Sequence, residues 1–315
     1  MSDTYDAQDR GAGDAYARYL AGMDASMRQK VALVAAHLLC EGEVADMGMG
    51  SGAGSHALAA LYPRLDVVGI DINPEMVERA RARYALPNLR FEVGDIAEAC
   101  LPAGVFEAIL DSSVLHHVTS FNGYDRGAAA RAMGVQARML APGGVLVVRD
   151  FLDPGAGEVW LDLPDDDAPP EGPGAGGSSA ALLLRFSKEF KLLLPEGERG
   201  FPVVERGGRP GEPPLPTGWR RFALDRRHAV EFLLRKDYRR DWALEAQEEY
   251  TYLTQAGFEA ACAAEGLRLL ASTPIRNPWI VQHRFEGRFA WWTTAGVPLD
   301  WPATNYVVAA ERVDN

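Results

Sequence analysis

Four glycines at alternate positions, Gly48, Gly50, Gly52 and Gly54, follow an apolar run that ends at Asp46. Glycine takes positive φ without a Cβ penalty and lets another molecule approach the main chain, so this density after a strand reads as a cradle. A helix starting near Gly54 would aim its first N–H groups into that turn. A second apolar run, VVGIDI over residues 67–72, carries Asp71 near its end, where a carboxylate can accept both hydroxyls of a ribose. A third run, residues 89–93, stops at Gly94, Asp95 and Ile96, and a fourth, residues 106–110, stops at Asp111, Ser112 and Ser113. Beyond the fourth stand His116 and His117, imidazoles able to take a proton near neutral pH. A fifth run ends in the charged pair Arg149 and Asp150.

For these clusters to meet, the runs must lie side by side as strands pointing the same way. Strands near 44–47, 67–72, 89–94, 106–111 and 144–150 alternate with helical spacing over 54–61, 74–84 and 127–140. That alternation requires a parallel sheet with right-handed crossovers, and such sheets bind ligands at their carboxyl edge. Asn73 and Pro74 read as an N-cap and first helical residue. Asn122 and Gly123 make residues 119–126 a loop over the pocket. Residues 15–39 have helical apolar spacing, and residues 1–13 have the composition of a disordered terminus.

The stretch VADMGMGSG resembles the first motif of the class I S-adenosylmethionine-dependent methyltransferases, in which an acidic residue precedes a GxGxG loop. GDI at 94–96, LDSSVLHHV at 110–118 and LAPGGVLVV at 140–148 are similar to later motifs of that family; the likeness covers residues 20–151, more weakly 255–315. It implies an α/β, Rossmann-like, doubly wound sheet of about seven strands, mostly parallel with the last antiparallel. It implies S-adenosylmethionine as cofactor and S-adenosylhomocysteine as product, held by Asp46, Gly48, Met49, Gly50, Gly52, Asp71, Ile72, Asp95, Ile96, Asp111 and Ser112. An acidic Asp46 suits a cationic sulfonium and would repel the pyrophosphate of a dinucleotide. Methyl transfer from a sulfonium is an in-line displacement, so His116, His117 and Asp150 are the expected proton-handling residues.

The chain has 315 residues, 47% of them hydrophobic, ample for one large or two modest domains. No apolar run reaches membrane-spanning length and the first residues do not read as a secretion signal, so a cytoplasmic protein without a membrane partner is expected. The formal charge of −12 argues against non-specific polyanion binding, and no nucleic-acid partner is expected. Yet eight Lys or Arg crowd residues 219–240, which keeps an RNA methyltransferase open as the alternative, beside a cofactor-binding protein without transfer activity. Cys40, Cys100 and Cys262 lack metal or disulfide spacing. Glu245, Glu248 and Glu249 share helical faces but no histidine joins them in sequence, and no metal is expected.

The domain reading is a core over 14–151, a partly helical cap insertion over 152–250 with flexible Pro/Gly-rich loops, and a return to the core sheet over 251–315. Helical spacing is clear at 181–194 and 226–238. Arg235 and Arg239, four apart on the second helix, together with Arg149, are expected to hold an anionic small-molecule acceptor bidentately. The tryptophan-rich residues 279–301 read as packing against the insertion, with an aromatic wall for a planar substrate as the alternative.

Overall fold

A computed structural model describes residues 41–169, 174–208 and 210–313. The expectations for residues 1–13 and 15–39, and for Cys40, lie outside the described residues. Contact density divides the chain into two compact units. One takes the described residues up to Asp150 together with Gln255–Thr273 and the segment from Tyr306; the other takes Phe151–Thr254 and Pro274–Asn305. No helix among the described residues is long and apolar enough to cross a membrane.

The first unit is built on a seven-stranded sheet in the order β3-β2-β1-β4-β5-β11-β9. Its strands are β1 (Gly42–Met47), β2 (Leu65–Asp71), β3 (Leu89–Val93), β4 (Phe106–Ser112), β5 (Leu140–Asp150), β9 (Leu267–Ile275) and β11 (Asn305–Arg312). β1 pairs in parallel with both β2 and β4, and β4 with β5, whereas β11 runs antiparallel to β5. The order reverses at β1 and β4, the switch point beside which open α/β sheets bind ligands. The sheet is therefore the mostly parallel, doubly wound one that the motif likeness implied.

The connecting helices start where their caps place them. α2 (Pro74–Arg83) has Asn73 accepting from the Glu75 N–H and Pro74 in its first turn, and α4 (Arg126–Met139) has Asp125 accepting from the Gly127 N–H. α1 (Ala53–Leu61) begins from Gly52 at φ 75°, without a side-chain cap. The histidine stretch is itself helical, α3 (Leu115–Ser120), so the loop after β4 is shorter than the expected 119–126. α7 (Gln255–Ala264) is a further helix of this unit.

The second unit has its own four-stranded sheet, order β10-β6-β8-β7, made from β6 (Glu158–Pro164), β7 (Val204–Arg206), β8 (Trp219–Asp225) and β10 (Ala290–Thr293). The Pro/Gly-rich stretches of the 152–250 insertion read as flexible loops in sequence, yet β6 lies among them. Its core EVWLDLP is buried from Val159 to Pro164 and only its flanks are rich in Pro and Gly. α5 (Ser179–Glu189) and α6 (Arg226–Arg235) bury Leu182, Leu183, Phe186, Phe232 and Leu233 in one cluster with Phe222, Phe285, Phe289 and Trp291. The aromatic segment 279–301 thus supplies core to this unit, while Trp279 stays 53% exposed.

Candidate functional site

The glycine turn is pinned to the next strand by main-chain geometry. Gly48, Gly50 and Gly52 all have positive φ, at 67°, 56° and 75°. The Met49 N–H donates to the Ile70 carbonyl at 2.9 Å, and the Gly50 N–H donates to Asp71 Oδ2 at 2.9 Å. A Cβ on Gly48 would sit 2.2 Å from Val114 Cγ2, and one on Gly52 2.9 Å from Ala80 Cβ. The glycines therefore serve close packing as well as the turn.

Asp71 stands at the end of β2 with its Oδ1 accepting from the Asn73 N–H at 2.9 Å. Backbone donors on both carboxylate oxygens orient the group. Ile72 follows it, half-buried. Asp95, half-buried beyond β3, accepts from the Ala97 N–H at 2.9 Å, and Ile96 beside it is buried. Asp46, 8% exposed, accepts from Ser55 Oγ at 2.6 Å, so α1 holds the acid that precedes the turn.

At the ends of β4 and β5 the structure joins residues that are far apart in sequence. His116 Nδ1 lies 2.8 Å from Asp150 Oδ1, and the His116 N–H donates to Asp150 Oδ2 at 3.1 Å. Both side chains are buried. His117, half-buried, tilts against the His116 ring at 4.2 Å between centroids and against Phe121 at 5.8 Å. Ser112 is paired in register with Arg149, and Arg149 Nη1 donates to Ser113 Oγ at 2.7 Å. Ser113 has φ 59°, a left-handed conformation that a non-glycine residue holds only when its surroundings impose it. The Ser113 N–H donates to the Arg149 carbonyl at 2.7 Å, so two bonds from one arginine fix that turn.

Asp111 is fully buried. Gln136 Nε2 on α4 donates to its Oδ1 at 3.2 Å, and burial pushes the carboxyl well above the usual range. The Gln136 hydrogen bond opposes that rise, and the nearby Asp150 and Asp46 add to it.

The arginines expected to clamp an acceptor are arranged differently. α6 ends at Arg235, and Arg239 belongs to a separate turn, so they do not share a helix face. Arg235 is fully buried, its Nη2 donating to Glu231 at 2.5 Å and its guanidinium 4.2 Å from the Tyr250 ring centre. Glu231 also accepts from Tyr250 and Thr251, which makes the pair part of the interior of the second unit. Arg239 donates to the Gly177 carbonyl at 2.7 Å. The expected bidentate fork from these two residues is therefore corrected: core packing occupies Arg235 and loop closure occupies Arg239.

The rest of the basic run is largely matched by acids. Arg220 pairs with Glu205, Arg221 with Asp162, Arg227 with Asp153 and Lys236 with Asp237. Burial pushes the thiols of Cys100 and Cys262 up to about 11. Sequence reasoning missed Ser55 and Gln136, and placed Ser113 at the strand end without a role. Gln136 carried a signal, because it lies on the otherwise apolar stripe of Ala128, Ala129, Ala132, Met133 and Ala137 on α4.

Residues 44–144 match a family model described as a methyltransferase domain. A 37.1 kDa uncharacterized protein of a Streptomyces fradiae transposon is 35% identical over 153 residues, 48% of this chain and 41% of that protein. The trans-aconitate 2-methyltransferase of Deinococcus radiodurans is 34% identical over 107 residues, 34% of this chain and 37% of that protein. The chain thus matches less than half the length of either relative. Among solved structures, a 1,6-didemethyltoxoflavin-N1-methyltransferase from Burkholderia thailandensis is 16% identical with a TM-score of 0.47, covering 95% of this chain and 83% of that one.

Proposed function

Because residues 44–144 match a methyltransferase-domain model and carry the motifs that resemble class I S-adenosylmethionine-dependent methyltransferases, we propose that the protein transfers a methyl group from S-adenosylmethionine to a small-molecule acceptor. The observation that carries this reading is the Gly50–Asp71 hydrogen bond, which ties the glycine turn to a carboxylate positioned for a ribose. The donor set fits the cofactor. Asp71 offers acceptor oxygens to the ribose, Asp95 and Ile96 border the adenine, and Asp46 supplies negative charge near the sulfonium. Gly48, Met49, Gly50, Gly52, Ile72, Asp111 and Ser112 complete that proposed wall. When bound, the cofactor supplies an electrophilic methyl on a cationic sulfur.

The chain's own part is orientation and proton handling. Asp150 holds the His116 ring through Nδ1, which directs proton exchange to Nε2. An acceptor hydroxyl would give its proton to that nitrogen as an oxygen lone pair displaces the sulfur from the methyl, whereas an ammonium would have to give up its proton first; in either case Asp150 would offset the imidazolium charge. His117 flanks this pair, and Arg149 keeps the Ser113 turn in place.

A small acceptor is favoured over nucleic acid because most cations of residues 219–240 already face protein carboxylates, leaving little charge to neutralise phosphates. Two relatives named as trans-aconitate methyltransferases fit a small carboxylate acceptor. The test is S-adenosylhomocysteine formation from S-adenosylmethionine across a panel of small carboxylic acids, with oligonucleotides as the opposing arm. Turnover confined to an oligonucleotide would overturn the acceptor class.

A further inference from the structure

Asp111 and Gln136 present more hydrogen-bond acceptors to one another than donors. Asp111 is fully buried at the end of β4, and Gln136 is fully buried on α4. Gln136 Nε2 is the donor between them, reaching Asp111 Oδ1 at 3.2 Å and the Ile96 carbonyl at 3.4 Å. Asp111 Oδ2 and Gln136 Oε1 are both buried and have no hydrogen-bond partner among the described residues. A carboxylate in this position leaves two acceptors unsatisfied, whereas a carboxylic acid brings the missing donor.

The charged surroundings point the same way. β4 lies between β1 and β5, which bring Asp46 and Asp150 near Asp111. Asp46 is hydrogen-bonded to Ser55 of α1 and Asp150 to His116 of α3; α4 contributes the uncharged Gln136. Three carboxyls grouped at adjacent strand ends, one of them buried without full solvation, favour a shared proton until a cation arrives.

We propose that Asp111 is a neutral acid in the ligand-free protein and releases its proton when the cationic cofactor binds, so that the pocket distinguishes the sulfonium substrate from its neutral thioether product. The inference rests on the cofactor reading above. On binding, the Asp111 O–H bond breaks, the proton passes to solvent, and the carboxylate offsets the sulfonium charge. After methyl transfer the thioether carries one positive charge fewer, and the carboxylate takes a proton back from solvent. Product release then restores the starting state of the acid.

The experiment is calorimetry of S-adenosylmethionine and S-adenosylhomocysteine binding at about pH 7 in buffers of differing ionisation enthalpy, which counts protons without turnover. The wild-type protein should release up to about one proton more with S-adenosylmethionine than with S-adenosylhomocysteine. Its preference for the charged ligand should rise with pH, by as much as about tenfold per unit while Asp111 titrates. Asp111→Asn, which keeps the shape of the neutral acid, should abolish the proton difference and flatten the pH dependence. Equal proton counts for the two ligands in the wild type would overturn the inference alone. A difference that survives Asp111→Asn would also overturn it and would move the proton to the His116–Asp150 pair. Failure of both ligands to bind would overturn the cofactor reading, and this inference with it.

Discussion

Asp150 grips His116 at two points, the ring through Nδ1 at 2.8 Å and the backbone N–H at 3.1 Å, so one carboxylate sets both the helix start and the imidazole orientation. A histidine held this way has one nitrogen committed and a defined tautomer when neutral. His116→Asn and Asp150→Asn should each lower kcat by ~10²- to 10⁴-fold for an acceptor that must lose a proton. Affinity for S-adenosylhomocysteine should stay at the parent value. The double variant should be little worse than either single one, since the pair acts as a unit. Steady-state kinetics beside calorimetry measures both quantities, and an unaltered kcat in both single variants would remove the dyad from the reaction.

Asp71 is oriented by two backbone N–H groups, and its proposed partner is a ribose. Asp71→Ala should weaken S-adenosylhomocysteine binding by ~10- to 100-fold, the loss of charge-assisted hydrogen bonds worth roughly 1.5 to 3 kcal/mol. Isothermal titration reads this directly, and parent affinity in the variant would contradict the assignment.

In the second unit, Arg221 faces Asp162 across the β6–β8 pairing with bonds of 2.6 and 2.7 Å, and Trp292 donates to the same carboxylate at 3.0 Å. Both charges are fully buried. Arg221→Ala leaves Asp162 uncompensated and should cost about 3 to 5 kcal/mol, whereas replacing both residues by apolar ones of similar volume should cost much less. Urea unfolding of the two variants separates these cases. Equal losses would mean the ion pair is worth more than its burial penalty.

His228 stacks on Phe201 at 4.2 Å, and burial is the main cause that pushes its imidazole down to about 4. Above the ordinary histidine value near 6.5 both folded and unfolded forms are neutral, and the residue contributes no pH dependence. As pH falls through that value the unfolded chain takes a proton that the folded one refuses. Stability therefore drops between about pH 6.5 and 4, by roughly 1 to 3 kcal/mol. His228→Phe should flatten that part of the curve, as followed by the melting temperature across the interval.

The sheet of the first unit was legible because each strand is an apolar run closed by a polar or glycine-rich cluster, and β1 to β4 fall within two residues of where those clusters predict. The caps at Asn73 and the turn at Gly48 to Gly52 were legible for the same local reason. What the sequence did not disclose is pairing over distance. Ser55 with Asp46, Gln136 with Asp111 and Asp150 with His116 each join two elements, and no local pattern announces which partner a buried carboxyl will find. Arg235 shows the opposite difficulty. Its spacing suggested a surface clamp, but its hydrocarbon stem and planar head also suit an aromatic interior, and Phe186 and Tyr250 with Glu231 took it there. The sheet of the second unit was obscured because its short strands are flanked by proline and glycine, which dominate a composition window.

β11 comes after β9 in the chain but lies between β5 and β9 in the sheet. Synthesis from the amino end therefore delivers both neighbours before the strand that joins them. Until Asn305–Arg312 emerges, the apolar edge Val145–Val148 of β5 has no partner on that side, and the register of Tyr306 against Asp150 does not exist. An open edge of this kind invites pairing with other chains, so the nascent protein passes through an interval of exposure that its finished form conceals.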